Sequence, residues 1–409
     1  MTDSTPSCPL CGYLGEVEDR FFTWFTTDNG VDPTMIARLQ DSGGMCVAHT
    51  RRVLAQPGAG GRLTTVYRHV LPALRARLAA DRSATGACPA CHSLQRATAA
   101  ALERAGAPAA IPADVCLPHL RQAGHAAPRA MAALAPATLG RLSRPDLTLA
   151  ALAGVDPDRE PRARLRALLP HDGMLAETDA DPADTPSRLH ARLQVGTCPL
   201  CLTEGQHERR YLAWLTDEAH RNPDGIGNEP GGLCPRHLHD LATGDPAAGV
   251  WALHRERARW AGRFADAGRG RPRAVRAGLR AALRDDTCLV CGAVADATAG
   301  ETALLLAGLA ASPALHTAFA EAGGLCLRHT RATPAAGAVA AMIRQTALAR
   351  ADLIGAELNE AARKTAWLFR YEGRGPETTA WARAAALIDG SVFLGGPADP
   401  TFSRSSSRR

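Results

Sequence analysis

Twelve cysteines fall into a single repeated pattern, and that pattern constrains this chain more than any other feature. Pairs at Cys8 and Cys11, Cys88 and Cys91, Cys198 and Cys201, and Cys288 and Cys291 are each followed by a single, at Cys46, Cys116, Cys234 and Cys326. Each single has a histidine three residues on: His49, His119, His237 and His329. No cysteine is left over. The gap from the second cysteine to the third is 35, 25, 33 and 35 residues, about the size of a small helical hairpin. Read in chain order, the quartets are CPLC with CVAH, CPAC with CLPH, CPLC with CPRH, and CLVC with CLRH.

Three thiolates and one imidazole are the donor set of a closed tetrahedral zinc site, because Zn²⁺ is borderline soft and imposes no geometry of its own. The expectation is four Zn per chain, one per consecutive quartet. The same donors can hold an iron-sulfur cluster, which stands as the alternative and carries a thiol-based redox or sensing role with it. Six disulfides are disfavoured: the amino terminus, MTDSTPSCPLC, lacks the basic and apolar regions of a secretion signal. With no run of about 18 consecutive apolar residues either, the expected location is the cytoplasm, with no membrane partner.

The flanking residues place the ligands on helices. Ala, Leu and Arg dominate and only 4% of residues are aromatic, which favours an all-α fold of tandem modules, each pinned at helix N-termini by a Cys₃His site. Aligned on the cysteines, the segments after Cys11 and Cys201 match at Gly15 and Gly205, Glu18 and Glu208, Phe21 and Tyr211, and Trp24 and Trp214. Phe21, Trp24 and Phe25 are spaced for one core face. Asp32-Pro33 and Ser312-Pro313 each announce a further helix, closed by Gly43-Gly44 or Gly323-Gly324 two residues before the third cysteine. Helix N-termini aimed at the metal favour thiolate over thiol. Arg236 and Arg328, inside CxxH, and Arg51 and Arg52, just after it, are read first as solvated and second as charge supporting the site.

The CxxC starts of the third and fourth modules lie 190 and 200 residues beyond those of the first and second, as after duplication of a two-site unit. The acidic, proline-bearing stretch 169–186 is the expected linker, giving halves 1–185 (modules 8–55 and 88–125) and 186–334 (modules 198–245 and 288–333). A helical segment 335–403 and a basic tail 404–409 follow. The second module lacks the double glycine and is expected to lack its middle helix, and 222–232 is loop-like in the third.

These motifs resemble a family of bacterial cysteine-rich helical proteins that carry CPxC at the start of a helix and GGxCxxH after it. GGMCVAH, GGLCPRH and GGLCLRH fit that pattern, and Lys364, Arg370, Tyr371, Glu372 and Trp381 resemble its carboxyl-terminal segment. The resemblance implies a helical cytosolic fold with zinc and no established activity.

No phosphate loop, HExxH, GxSxG or deaminase signature is present, so no catalytic residue is assigned. The expected role is a zinc-bearing scaffold that binds another protein. Nucleic acid is a weaker candidate partner, resting on Arg255, Arg257, Arg259, Arg263, Arg269, Arg271, Arg273, Arg276 and Arg280. A Cys₃His site with a divalent ion carries a net charge of about −1, so four would lower the formal +6 to about +2 and remove most of the basicity. His69 and His254, about twenty residues after a third cysteine, are expected in the core or behind a ligand. His92 and His239 are substitute ligands.

Overall fold

The computed structural model describes residues 8–56, 58–82, 86–105, 115–120, 149, 189–190, 192–193, 198–222, 232–267, 288–369 and 371–390. Among these, the chain is helical throughout, with one isolated parallel bridge between Gly232 and Cys288. The helices are α1 (Pro9–Trp24), which runs into a π-turn at Phe25–Asn29, α2 (Pro33–Ser42), α3 (Val47–Leu54), α4 (Ala59–Ala79) and α5 (Pro89–Ala105). After them come α6 (Pro199–Arg221), α7 (Pro235–Gly244), α8 (Pro246–Ala267), α9 (Leu289–Ala311), α10 (Pro313–Glu321) and α11 (Leu327–Ala332). The last are α12 (Gly337–Thr365), two short 3₁₀ turns and α13 (Ala380–Asp389).

Local chemistry sets the boundaries. Asp32 accepts from the N–H groups of Thr34 and Met35, at 2.8 and 3.1 Å, and Ser312 caps α10 through Leu315. Both caps satisfy donors that a helix start leaves open, with proline pre-set at N1. Gly43 and Gly44, and likewise Gly323 and Gly324, take positive φ and turn the chain toward Cys46 and Cys326. The middle segment of the second module, the acidic linker, the 223–231 loop, Arg269 to Arg280 and the basic tail lie outside the described residues.

The chain forms two compact units that cut across the halves expected from the sequence. Unit 1 comprises 1–20, 93–157 and 207–295. Its core joins Leu10, Leu102 and Leu120 to Leu215, Trp260 and Val290. Unit 2 comprises 21–92, 158–206 and 296–409. It holds two cores. One packs α4 along α12, with Leu71 and Leu74 in the same cluster as Ala347, Ala351, Ile354 and Leu358. The buried positions Ile343, Ala347, Ala351, Ile354 and Leu358 recur every three or four residues, one face of α12, and its two alanines let α4 approach closely. The other core gathers Leu189, Leu193, Leu309, Phe319 and Leu325. Beside it, Arg192 pairs with Glu301 at 3.0 Å and both are buried.

Two packing expectations change. Phe22 and Phe25 are buried, whereas Trp24 is 41% exposed, so α1 turns a slightly different face inward than Phe21, Trp24 and Phe25 would define. His69 and His254 are exposed, neither core nor ligand support. Among the described helices, α9 is long and apolar enough by length and composition to cross a membrane. Asp296 and Glu301 interrupt it, and Glu301 is held by Arg192 inside unit 2.

Candidate metal centres

All eight ligand motifs share one backbone device. In CxxC and CxxH alike, the carbonyl of the first cysteine accepts the first helical hydrogen bond, from the residue four positions on. Gly12, His92, Leu202 and Gly292 donate to Cys8, Cys88, Cys198 and Cys288, and Thr50, Leu120, Leu238 and Thr330 donate to Cys46, Cys116, Cys234 and Cys326. The first cysteine is therefore the N-cap and the second ligand is N3. A polar N-cap and N3 ordinarily turn back to satisfy each other's free N–H groups. Here both side chains face the same point beyond the helix end. The prolines at 9, 89, 199 and 235 stand at N1, where a missing N–H costs nothing.

Eight such half-sites close into four clusters: Cys8, Cys11, Cys116 and His119; Cys46, His49, Cys88 and Cys91; Cys198, Cys201, Cys326 and His329; and Cys234, His237, Cys288 and Cys291. Within each, the ligand atoms all lie within 4.8 Å of one another. This corrects the pairing read from chain order. Cys8 and Cys11 do not meet Cys46 and His49 but reach past them to Cys116 and His119, and the skipped pair closes with Cys88 and Cys91. The second half repeats the nesting, so each half has an outer and an inner site. Unit 1 holds the first outer site and the second inner one, and unit 2 holds the first inner site and the second outer one. His92, exposed, and His239, buried, join no cluster.

The distances suit one ion per cluster. Tetrahedral zinc, with Zn–S of about 2.3 Å and Zn–N of about 2.0–2.1 Å, has edges of about 3.8 Å between sulfurs and about 3.5 Å from sulfur to nitrogen. One close Sγ···Sγ contact per cluster lies at this edge length: 3.6 Å for Cys11–Cys116 and Cys46–Cys91, 3.7 Å for Cys201–Cys326 and 4.0 Å for Cys234–Cys291. Each histidine turns Nδ1 to the sulfurs, from 3.1 Å at Cys46 to 3.6 Å at Cys11. All twelve cysteines are free thiols. Without a cation the sulfurs oppose one another. Hydrogen bonds from Cys11 and Cys116 pull Cys8 well below the usual thiol range, and Cys11 and Cys8 push Cys116 well above it. Burial would lower His119, but sulfur contacts from Cys11 and Cys8 outweigh it and raise it to about 9. A divalent ion removes this conflict, since it lets three thiolates coexist.

The other imidazole nitrogen is also engaged in the second half of the chain. His237 Nε2 donates to Glu208 at 2.8 Å, and Arg236 pairs with the same carboxylate. His329 Nε2 donates to Glu204 at 3.2 Å, and Arg328 binds Glu204 while approaching Cys201 Sγ at 3.7 Å. Burial would raise Glu204, yet His329 and Arg328 hold it down at about 2. A carboxylate on the far nitrogen fixes the tautomer that leaves Nδ1 free to bind. Arg236 and Arg328 thus act on the sites and are not simply solvated, contrary to the first reading of the sequence. Glu204 and Glu208 went unassigned in the sequence, although the match of Glu208 to Glu18 was a usable signal. Replacing Glu208 with alanine is expected to weaken metal binding at the second inner site by about 10–100-fold. In a competitive chelator titration one metal would then leave early while three stay tight.

The end of α13 touches both sites of unit 2. Asp389, buried and pushed up to about 8 by that burial, accepts from Thr50 next to His49 at 2.5 Å. Gly390, at φ +94°, lies so close to Cys201 that a Cβ there would stand 2.7 Å from its sulfur. In unit 1, Glu256 accepts from Leu233 N–H at 2.9 Å and steadies the approach to Cys234. Of the basic stretch, Arg259 pairs with Glu256 and stacks 4.7 Å from the Trp260 ring centroid.

No family model matches the chain, and no curated protein or solved structure matches it.

Proposed function

We propose that the protein is a zinc-stabilised helical scaffold that holds four structural ions and presents its surface to a protein partner. The observation that carries this reading is the fourfold closed Cys₃His geometry, with edges that suit a single tetrahedral ion. A closed site keeps no open position for substrate or water, so its role is to hold chain segments together. An iron-sulfur cluster places its ligands on separate iron atoms bridged by sulfide, which calls for wider ligand spacing than these clusters have. A protein partner is favoured by the exposed apolar segment after α12, where Trp367, Leu368 and Tyr371 are 70%, 82% and 83% accessible. A nucleic-acid partner draws less support, because Arg259 is committed to Glu256 and Trp260. A reducing compartment such as the cytoplasm suits twelve free thiols.

Metal analysis after purification under argon tests this reading. The expected product is colourless with four zinc per chain. A brown protein with a broad band at about 400 nm would replace zinc with an iron-sulfur cluster.

A further inference from the structure

We propose that the second inner site, Cys234, His237, Cys288 and Cys291, is an oxidation-sensitive zinc switch, and that Cys291 is the sulfur attacked first. The proposal rests on the zinc reading above and adds a chemical inequality among four sites of identical composition. Of the twelve cysteines, Cys291 is the exposed one, and the others are buried or half-buried. The second outer site is its opposite, with all four ligands buried. The first inner site is the positional equivalent, yet its Cys91 is only half-buried.

Zinc-bound sulfur keeps thiolate character, so its reaction with an oxidant is governed by access. A peroxide can reach Cys291 without any helix opening. The Cys291 thiolate attacks one peroxide oxygen, the O–O bond breaks, hydroxide leaves and a sulfenic acid forms. A second thiolate of the same site, Cys234 or Cys288, then attacks that sulfur, the S–S bond forms and a second hydroxide leaves. Both hydroxides take protons from solvent to give two waters. Two electrons have passed from two thiolates to the peroxide. One thiolate and one imidazole remain, too few to hold zinc, and the ion departs. A thiol reductant with zinc reverses the change. The oxidant class is hydrogen peroxide and small hydroperoxides.

The test uses the full chain as purified, with zinc counted first, treated with limiting hydrogen peroxide. A zinc-binding dye follows release, and differential alkylation with mass spectrometry locates the oxidised cysteines. One zinc equivalent is expected to leave about tenfold faster than the other three, in step with a disulfide joining Cys291 to Cys234 or Cys288. Four zincs leaving at one rate, or a first disulfide in any other cluster, would overturn the switch and leave the scaffold reading standing. A chain isolated without zinc would overturn both.

Discussion

Stripping zinc from the full chain with a chelator, under reducing conditions, is expected to abolish cooperative folding of both units. A structural zinc site contributes an apparent free energy of about 10–16 kcal/mol, whereas a folded domain has a net stability of only about 5–15 kcal/mol. Each unit depends on two sites, so loss of both ions exceeds what burial alone retains. Thermal melting followed by circular dichroism should lose its sharp transition, with partial helicity surviving in long Ala-rich segments such as α12. Adding zinc should restore it. A metal-free chain that still melts sharply would show that the ions are accessories to a self-sufficient core. The pH dependence has opposite signs in the two forms. Sulfur contacts raise His119 to about 9 and, against burial and with help from Glu208, His237 to about 11. Protons therefore compete for these ligands at neutral pH, and zinc affinity should rise between about pH 6 and 9 with protons released on binding. In a metal-free chain that stayed folded, the same raised values would contribute stability that is full below about 6.5 and fades as pH climbs through the folded values.

The ligands were legible in the sequence and their partners were not. All sixteen ligand positions follow from spacing, and the caps and glycine turns follow from Asp32, Ser312, Gly43 and Gly323. What spacing cannot rank is which CxxC meets which CxxH. The two motifs are geometrically alike, each an N-cap and N3 pair, so any two can build a site. Proximity along the chain seemed to decide for neighbours 25 to 35 residues apart. The structure closes Cys11 on Cys116 across 105 residues. Tripling a loop costs only about 1 kcal/mol of closure entropy, far less than one site contributes. Packing is free to choose, and it does so where Leu10, Leu102 and Leu120 share a core. The same lesson applies to Arg236 and Arg328: their carboxylate partners lie a long way off in sequence, on α6, where no local pattern pairs them.

Cutting the chain within 169–186 is expected to leave the halves bound to each other, and this follows from the cores that the halves share. Had each half formed its own cores, 1–185 and 186–409 would be separate bodies joined by a tether. Instead each unit draws its core from both halves. In unit 1, Leu10, Leu102 and Leu120 pack with Leu215, Trp260 and Val290. In unit 2, Val66, Val70, Leu71 and Leu74 of α4 pack with α12 and with Leu387 of α13. Each fully buried side chain of this kind contributes about 1.5–3 kcal/mol, so a dozen across two units outweighs the roughly 4–15 kcal/mol cost of association. A protease site placed in that stretch should therefore give two bands on a denaturing gel and one species by size-exclusion chromatography, with four zincs retained. Chelation should then release the halves. No metal site bridges them directly, since every cluster draws its ligands from one half, so release would mean that the sites hold the shape of the cores and the cores hold the halves. Two separate species that each keep two zincs would refute the shared cores.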